Sequence, residues 1–205
     1  MSLSDSDGEA PRAVPRLRTL LAAKDRILNL AIIVAVVVPI VAVAAQVRPA
    51  PPGLPLAPDF RMWDISTMES LRLSDYRGKV VFLDIMATWC LVCKQQTPDL
   101  NEINETYGGA SFVLISVTGW WNDTVEKLRY YRERWWEELP EGTPRFTANW
   151  TFGFPVNPSE VAYDYVVTGW PTTVVIDRDG LMTYRAVGRV PLATLLAQVE
   201  AALNA

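Results

Sequence analysis

The two cysteines of the sequence are three positions apart, and they are the residues best able to do chemistry. Cys90 and Cys93 can close one disulfide or offer two thiolates. At the start of a helix, the backbone N–H groups and the helix dipole stabilise the thiolate of the first cysteine, which is the attacking species in disulfide exchange. The second cysteine, one turn further along, can attack the resulting mixed disulfide and release the substrate. The spacing therefore favours a redox-active pair.

The composition excludes several other kinds of chemistry. The 205 residues include no His, which excludes Ser-His-Asp and Cys-His nucleophiles, His-ligated zinc or iron, and c-type haem attachment. Two cysteines cannot complete a four-cysteine metal site, and so short a disulfide loop is a poor structural staple. We therefore expect no metal, and no cofactor besides the disulfide Cys90–Cys93. A net charge of −4 gives no basic excess for binding nucleic acid.

The residues around the pair predict that strands and helices alternate from Asp59 onward. Apolar and β-branched runs predict buried strands at 79–86 and 111–118. A helix is expected after each strand, at 91–106 and after Asp123, which can act as an N-cap or sit in the first helical turn. Because strand, helix and strand in succession imply parallel pairing, we predict an α/β domain with the pair between a strand and a helix.

Antiparallel hairpins are predicted at the two ends of this domain. The turn signal Arg178-Asp179-Gly180 marks the second hairpin. The predicted strands are 60–65 and 71–73 in the first hairpin, and 172–177 and 181–187 in the second. Leucine and valine at helical spacing predict a closing helix over 191–203.

The N-terminal residues have the composition of a membrane anchor followed by a stalk. After the tail 1–26, with its basic residues toward the end, the apolar run 27–45 would span about 28 Å as a helix, close to the thickness of a bilayer core. A cleaved signal peptide is the alternative, because Ala42-Val43-Ala44 satisfies the small-x-small rule. Both alternatives place the rest of the chain outside the cytoplasm. Residues 46–58 are proline-rich and predict an extended linker before the domain 59–205.

Four short motifs frame the cysteine pair and the second hairpin. They are Ala57-Pro58-Asp59-Phe60, Gly78-Lys79-Val80-Val81, Ala87-Thr88-Trp89-Cys90 and Gly169-Trp170-Pro171-Thr172-Thr173. With these motifs the chain resembles the thioredoxin-fold superfamily and, within it, the membrane-anchored TlpA/ResA-like thiol-disulfide oxidoreductases. The resemblance covers Asp59 to the C-terminus. It implies a thioredoxin-like α/β fold with a central mixed β-sheet flanked by helices.

The resemblance also implies roles for residues near the cysteines. Pro171 is expected to be a cis-proline that faces the pair and aligns an incoming substrate strand, with Trp89 and Trp170 contributing to substrate binding. Asp84, six residues before Cys90, is expected to be a buried acid that relays the proton of the second cysteine. A carboxylate held in an apolar strand has a raised pKa and can exchange a proton near neutral pH. The alternative is a surface acid at a strand end.

The function implied by the resemblance is that of a membrane-tethered, periplasm-facing thiol-disulfide oxidoreductase. Cys90 is expected to attack and Cys93 to resolve. The expected partners are exported proteins with cysteines, as in cytochrome c maturation, and a membrane thiol electron donor. A copper(I) carrier that uses the same two thiolates is the main alternative. A peroxidase ranks last, because its reactive cysteine needs a different arrangement of Thr and Arg.

Departures from the family pattern bear on substrate choice and on redox direction. The dipeptide Leu91-Val92 lacks the common proline, Gln96 stands where many membrane-anchored reductases carry an acid, and Trp170 is large for a groove position. Lys94 is expected to point along the helix, where solvent ions screen its charge. We therefore expect a thioredoxin-like to intermediate reduction potential, on the order of −200 to −270 mV, and a reducing or exchanging role.

An aromatic-rich insertion is predicted at about 119–165. Trp135 and Trp136 are expected to fill a small core of this insertion. Trp120 and Trp121 are equally compatible with a core role and with an aromatic wall that contacts a partner polypeptide.

Overall fold

The computed structural model of the chain describes residues 54–205. The predicted tail, the apolar segment 27–45 and most of the proline-rich linker therefore lie outside the described residues. The last linker residues already contact the domain, because Leu56 forms a β-bridge with Leu181 and the Ala57 N–H donates to the Gly180 carbonyl at 2.9 Å. None of the helices within 54–205 combines the length and the hydropathy that a membrane crossing requires.

Seven strands form one mixed sheet in the order β2-β1-β5-β4-β3-β6-β7. The strands are β1 (Arg61–Asp64), β2 (Ser70–Arg72), β3 (Val80–Met86), β4 (Phe112–Thr118), β5 (Thr151–Pro155), β6 (Thr172–Ile176) and β7 (Met182–Val187). The pairs β3–β4 and β4–β5 are parallel, and the other pairs are antiparallel. All residues of β3 are buried, as expected for a central strand covered on both faces.

Helices cover both faces of this sheet, which confirms the predicted α/β class. They are α1 (Leu91–Tyr107), α2 (Val125–Arg134), α3 (Pro158–Asp164) and α4 (Leu192–Asn204), with short 3₁₀ helices at Leu73–Tyr76 and Trp135–Glu138. Apolar residues of α1, α2 and α4 share one buried cluster, which we name the first layer. Val161 of α3 belongs to the cluster on the opposite face, the second layer.

Alternate residues of β3 point to the two layers. Phe82 and Met86 pack in the first layer, together with both cysteines, whereas Leu83 and Ile85 pack in the second layer. Since side chains alternate along a strand, Asp84 points with Phe82 and Met86. The acid therefore lies in the layer that contains the cysteine pair.

The segment predicted as an aromatic-rich insertion also supplies a strand of the sheet. Strand β5 lies between β4 and β1, and no strand is predicted at this position from the sequence pattern. Its five residues include Gly153 and Pro155, which are depleted in strands and typical of turns. Gly153 is needed there because a Cβ would overlap the side chain of Met62 on β1. Tertiary packing thus explains why β5 contains Gly153, a residue type that argues against a strand in the sequence.

The prediction that Asp123 caps or begins the second helix is wrong. Thr124 is the N-cap of α2, and its Oγ1 accepts a hydrogen bond from the Lys127 N–H at 3.3 Å. The Asp123 carboxylate is buried and turns toward Thr88 and Thr118 instead. Thr88 and Thr118 donate hydrogen bonds to the Asp123 carboxylate, so its oxygens do not accept from the N–H groups of the helix terminus.

Candidate active site

Cys90 and Cys93 form a disulfide at the N-terminus of α1, with their Cα atoms 5.2 Å apart. Strand β3 ends at Met86, and the following turn is closed by a hydrogen bond from the Cys90 N–H to the Ala87 carbonyl at 3.0 Å. Cys90 is the N-cap of α1, and its Sγ accepts from the Cys93 N–H at 3.0 Å. A thiolate at Cys90 can use this donor and the helix dipole, which are the interactions that stabilise an attacking sulfur.

Asp84 is buried in the middle of β3, so the alternative of a surface acid at a strand end is wrong. Its Oδ2 accepts from the Ser116 hydroxyl at 2.8 Å, and the Ser116 oxygen accepts from the Trp150 indole N–H at 2.9 Å. Burial raises the pKa of Asp84 to about 7, and the hydrogen bond from Ser116 opposes that rise. The carboxyl can therefore gain or lose a proton near neutral pH, and its relay role remains a prediction.

A second pair of buried hydroxyls supports the turn of α1 that carries Cys93. Thr97 Oγ1 donates to the Cys93 carbonyl at 3.1 Å and lies 3.0 Å from the Tyr131 hydroxyl. Because the Thr97 proton is used on that carbonyl, Tyr131 donates to Thr97. Burial raises the pKa of Tyr131 further above neutrality, so the phenol stays protonated. Nothing in the sequence marks this pair, since a Thr and a Tyr 34 residues apart carry no motif.

The turn before Cys90 is tied to the end of β4 by Asp123. Its carboxylate accepts from the Thr88 N–H at 3.0 Å and from the hydroxyls of Thr88 and Thr118. Three donors satisfy a carboxylate that is shielded from water. Asp123 therefore holds the backbone of the residue that precedes Trp89 and Cys90.

Three tryptophans from separate loops meet at the ends of β3, β4 and β6. The ring centroids of Trp89 and Trp120 are 5.3 Å apart, those of Trp120 and Trp170 are 6.4 Å apart, and both pairs are edge-to-face. The Trp170 ring packs against Gly119, where a Cβ would lie 2.8 Å from it. This tryptophan cluster therefore occupies the edge of the sheet at which the disulfide sits.

The Trp170–Pro171 peptide bond is cis, as the resemblance implies. Pro171 comes directly before β6, whose first residue pairs with Ile85 near the end of β3. The proline therefore lies at the same edge of the sheet as the turn to Cys90. Its role in aligning a substrate remains a prediction.

The other tryptophans divide between core and surface. Trp135 is fully buried and donates from its indole N–H to the Phe146 carbonyl at 3.0 Å, and Trp136 is partly buried. Both pack in the first layer, so they have the expected core role, but in the main core of the domain and not in a separate core of the insertion. Trp120 is also partly buried in this layer. Trp121, by contrast, is 68% exposed. Together with the exposed side chains of Trp89, Leu91 and Val92, it forms an apolar surface around the disulfide.

Gln96 connects the cysteine helix to the loop that contacts Pro171. Its Oε1 accepts from the Val190 N–H at 2.8 Å, and its Nε2 donates to Asp99 at 2.7 Å. In the same loop, the Gly188 N–H donates to the Pro171 carbonyl at 2.7 Å. An amide can donate and accept at once, which an ionised acid at this position could not do. Gln96 thus joins the two segments that carry the cysteines and the cis-proline.

The prediction that solvent screens the Lys94 charge is wrong. The Lys94 side chain is only 6% exposed, and its ammonium lies 2.7 Å from the Glu138 carboxylate. Glu138 ends the 3₁₀ helix that follows α2, and this short helix packs over the side of α1. Tertiary packing therefore buries a charge that helix geometry alone would leave in water.

Within the described part of the chain, three or more His, Cys, Asp or Glu side chains do not come together as a potential metal site. The exposed side chains next to the disulfide include the large apolar groups of Trp89, Leu91 and Val92. The arrangement is therefore suited to sulfur exchange with a polypeptide.

Comparisons with known proteins agree with the resemblance seen in the motifs. The model of the AhpC/TSA family matches residues 55–185. The thiol-disulfide oxidoreductase ResA of Geobacillus kaustophilus is 33% identical over 127 residues, which are 60% of this chain and 63% of that protein. The chain thus spans less than two thirds of the length of this relative.

Solved structures confirm the thioredoxin-like fold. A Chlorobium tepidum protein assigned as a thiol:disulfide interchange protein DsbE aligns with a TM-score of 0.58 and 29% identity, covering 73% of this chain and 96% of that one. The exposed lipoprotein thioredoxin Etrx1 of Streptococcus pneumoniae aligns with a TM-score of 0.52 and 25% identity, covering 70% and 99%. The residues matched by the family model, 55–185, include the disulfide.

Proposed function

The chain belongs to the AhpC/TSA family, and on that premise we propose that it is a thiol-disulfide oxidoreductase of the ResA/DsbE type. One observation carries the proposal: a disulfide caps the N-terminus of α1 and shares a buried layer with the Asp84 carboxyl. That carboxyl has a pKa of about 7. A helix terminus favours one thiolate, and an acid with this pKa can accept the proton of the other thiol.

The proposed reaction passes two electrons from the reduced pair to a substrate disulfide. The Cys90 thiolate attacks one substrate sulfur, and the other substrate sulfur leaves as a thiolate. Cys93 then gives its proton to the Asp84 carboxylate, and its sulfur attacks Cys90 Sγ. The Cys90–Cys93 disulfide forms and the second substrate thiolate is released. A dithiol donor must reduce the pair again before the next cycle.

The apolar surface around the disulfide supports a polypeptide as the substrate. Trp89, Leu91, Val92 and Trp121 are exposed beside buried sulfurs, and large exposed side chains of this kind are typical anchors of protein contacts. We propose that an extended segment of an exported protein lies across this surface, next to Pro171. Proteins of cytochrome c maturation are the substrates that the resemblance favours.

We further propose that residues 27–45 anchor the chain in the membrane, with the domain outside the cytoplasm. The apolar run and the preceding basic residues support this orientation. A membrane thiol donor then supplies the electrons, and the anchor keeps the domain near that donor. Protease added to intact spheroplasts is expected to digest the domain after Asp59. A protected domain would contradict this orientation.

Reduction of insulin disulfides tests the proposed activity. The full chain in detergent, with dithiothreitol as the electron source, is expected to accelerate insulin precipitation, whereas Cys90→Ser is expected to be inactive because the attacking sulfur is absent. Copper(I) binding by the same chain and its consumption of hydrogen peroxide are measured in parallel with insulin reduction. Tight copper binding without insulin reduction would favour a copper carrier instead. Peroxide turnover without insulin reduction would favour a peroxidase.

A further inference from the structure

Lys94 is a cationic residue one helical turn after Cys90, the residue that carries the attacking sulfur. Its N–H donates to the Cys90 carbonyl at 3.2 Å, so the two residues stand in an i, i+4 relation and share one side of α1. A cation near a cysteine stabilises the thiolate over the thiol. Because the Lys94 side chain is only 6% exposed, water and salt screen its charge much less than they screen the charge of a surface lysine.

Glu138 is the partner that neutralises this charge. Its carboxylate lies 2.7 Å from the Lys94 ammonium and is 61% exposed. Its position is fixed by the 3₁₀ helix Trp135–Glu138, which the fully buried Trp135 anchors. The cation and its partner line one cavity of about 480 Å³, and Thr88 and Trp89 of the turn before Cys90 line the same cavity.

Three other charged groups that line this cavity, Asp123, Lys127 and Arg134, have partners of their own. Arg134 pairs with Glu137 at 3.0 Å, and the Lys127 ammonium donates to the Asn122 carbonyl at 2.8 Å. Asp123 accepts three hydrogen bonds from Thr88 and Thr118. Glu137 also interacts electrostatically with Lys94, but its carboxylate pairs with Arg134, whereas the Glu138 carboxylate contacts the Lys94 ammonium directly. The charge balance at Lys94 therefore depends mainly on Glu138.

We propose that Glu138 keeps the reduction potential of the Cys90–Cys93 pair low by neutralising Lys94. Glu138 acts through Lys94 and is a positioning residue, not a catalytic one. Reduction adds two electrons and one proton to the disulfide and leaves a thiolate at Cys90 and a thiol at Cys93. An unpaired ammonium would stabilise that thiolate and make the pair more oxidising. The ion pair removes this stabilisation and keeps the reduced pair a better electron donor.

Equilibration with glutathione measures the effect. The full chain in detergent is held in defined mixtures of glutathione and glutathione disulfide, so that two glutathione thiols reduce each protein disulfide, and the reduced fraction is read from thiol alkylation. Glu138→Gln is expected to shift the equilibrium at least threefold toward the reduced protein, which is about 14 mV. Glu141→Gln, which removes an equal charge nearby on a different cavity, is expected to leave the equilibrium unchanged.

The Lys94→Met background tests whether Glu138 acts through Lys94. In this background, adding Glu138→Gln is expected to leave the equilibrium where Lys94→Met alone puts it. Glu138→Asp, which keeps the charge but withdraws it by one methylene, is expected to shift the wild-type equilibrium in the same direction as Glu138→Gln, but less. It serves as the second variant if Glu138→Gln does not fold. A merely structural ion pair would stabilise the oxidised and reduced forms alike and leave the potential unmoved.

Two results would overturn the inference: an unchanged equilibrium in a folded Glu138 variant, or a shift that persists in the Lys94→Met background. The inference rests on the proposed oxidoreductase function, and the two can fail separately. A wild-type chain that neither equilibrates with glutathione nor reduces insulin contradicts the proposed function. A wild-type chain that does both, while its Glu138 variants match it, contradicts only the role of Glu138.

Discussion

Cys90 and Cys93 have different surroundings, and the difference predicts different tasks. Cys90 Sγ accepts a backbone N–H at the helix terminus, whereas Cys93 lies inside the first turn of α1. In Cys93→Ser, Cys90 can still attack, but nothing resolves the mixed disulfide, so covalent complexes with substrate proteins are expected to accumulate. Non-reducing gels of membranes that carry the variant measure this accumulation. Cys90→Ser is the matched control and is expected to trap nothing. Equal trapping by the two variants would contradict the division of tasks.

The carboxyl of Asp84 serves the second step of the proposed reaction. It lies in the layer of the cysteine pair, and its pKa of about 7 suits proton exchange with Cys93. Asp84→Asn keeps the shape of the side chain but cannot accept that proton. Resolution is therefore expected to slow by roughly 10²-fold, the lower end for general base catalysis, while the first attack stays nearly unchanged. Stopped-flow measurement of both steps between pH 6 and 9 checks this. An unchanged second step would make Asp84 a structural residue.

Single residues differ in how far the sequence could predict them. The cysteines were found by spacing, because a helix terminus acts locally. The direction of Asp84 needed the alternation of β3 between two layers, which the sequence could not show because both neighbours of Asp84 are apolar. The burial of Lys94 depends on a 3₁₀ helix that lies about forty residues further along the chain. No local pattern carries such a contact.

Some strands and helices could be predicted from the sequence, and others could not. Strand β3 and helix α1 were predicted with bounds close to those observed, because a long apolar run and a helix period dominate their sequences. Strand β5 was missed, since packing against Met62 selects a glycine there. Thus the elements that carry the cysteines could be predicted, whereas the strand between β4 and β1 could not.

The C-terminal end of α3 contains a strained residue that can be improved. Val166 follows the C-cap Tyr165 and has a φ of 51°, a left-handed conformation that is costly for a β-branched residue. Asn tolerates this conformation, and Val166 is exposed, so little apolar burial is lost. Val166→Asn is therefore expected to raise the free energy of unfolding by about 1 kcal/mol, the lower end of the cost of a left-handed conformation. Urea denaturation measures the change.

Val156 is the matched control for this substitution, because it is also an exposed valine and its φ is not positive. Val156→Asn removes the same apolar side chain without relieving strain. It is expected to leave the free energy of unfolding unchanged or to lower it. A gain from Val156→Asn equal to that from Val166→Asn would contradict the explanation by backbone strain.

At the scale of the whole molecule, the buried carboxyl makes folding stability depend on pH. The pKa of Asp84 rises from 3.8 to about 7 through burial, so the folded chain binds more protons than the unfolded chain between these values. Stability is therefore lost as the pH rises through this window. Above pH 7 the cost of ionising the buried group reaches about 4 kcal/mol.

Asp84→Asn removes this titration. The difference in unfolding free energy, variant minus wild type, is expected to rise as the pH increases from 4 to 8. It rises because the wild type is progressively destabilised while the variant is not. Urea denaturation at several pH values measures the difference. A difference that stays constant over this range would mean that the carboxyl is not held in a desolvated site.

Because the side chains of β3 alternate between two layers, proton exchange with the cysteines depends on whether an acid stands at an even-numbered or an odd-numbered position of this strand. An acid at an even-numbered position of this strand, such as Asp84, shares the first layer with Cys90 and Cys93. The same acid moved by one residue, to Leu83 or Ile85, would lie in the second layer, on the far side of the sheet from the disulfide. Moved by two residues, it would return to the correct layer but lie one pleat further from or nearer to the turn. Only every second position of β3 therefore places an acid on the face of the sheet where it can exchange a proton with a cysteine.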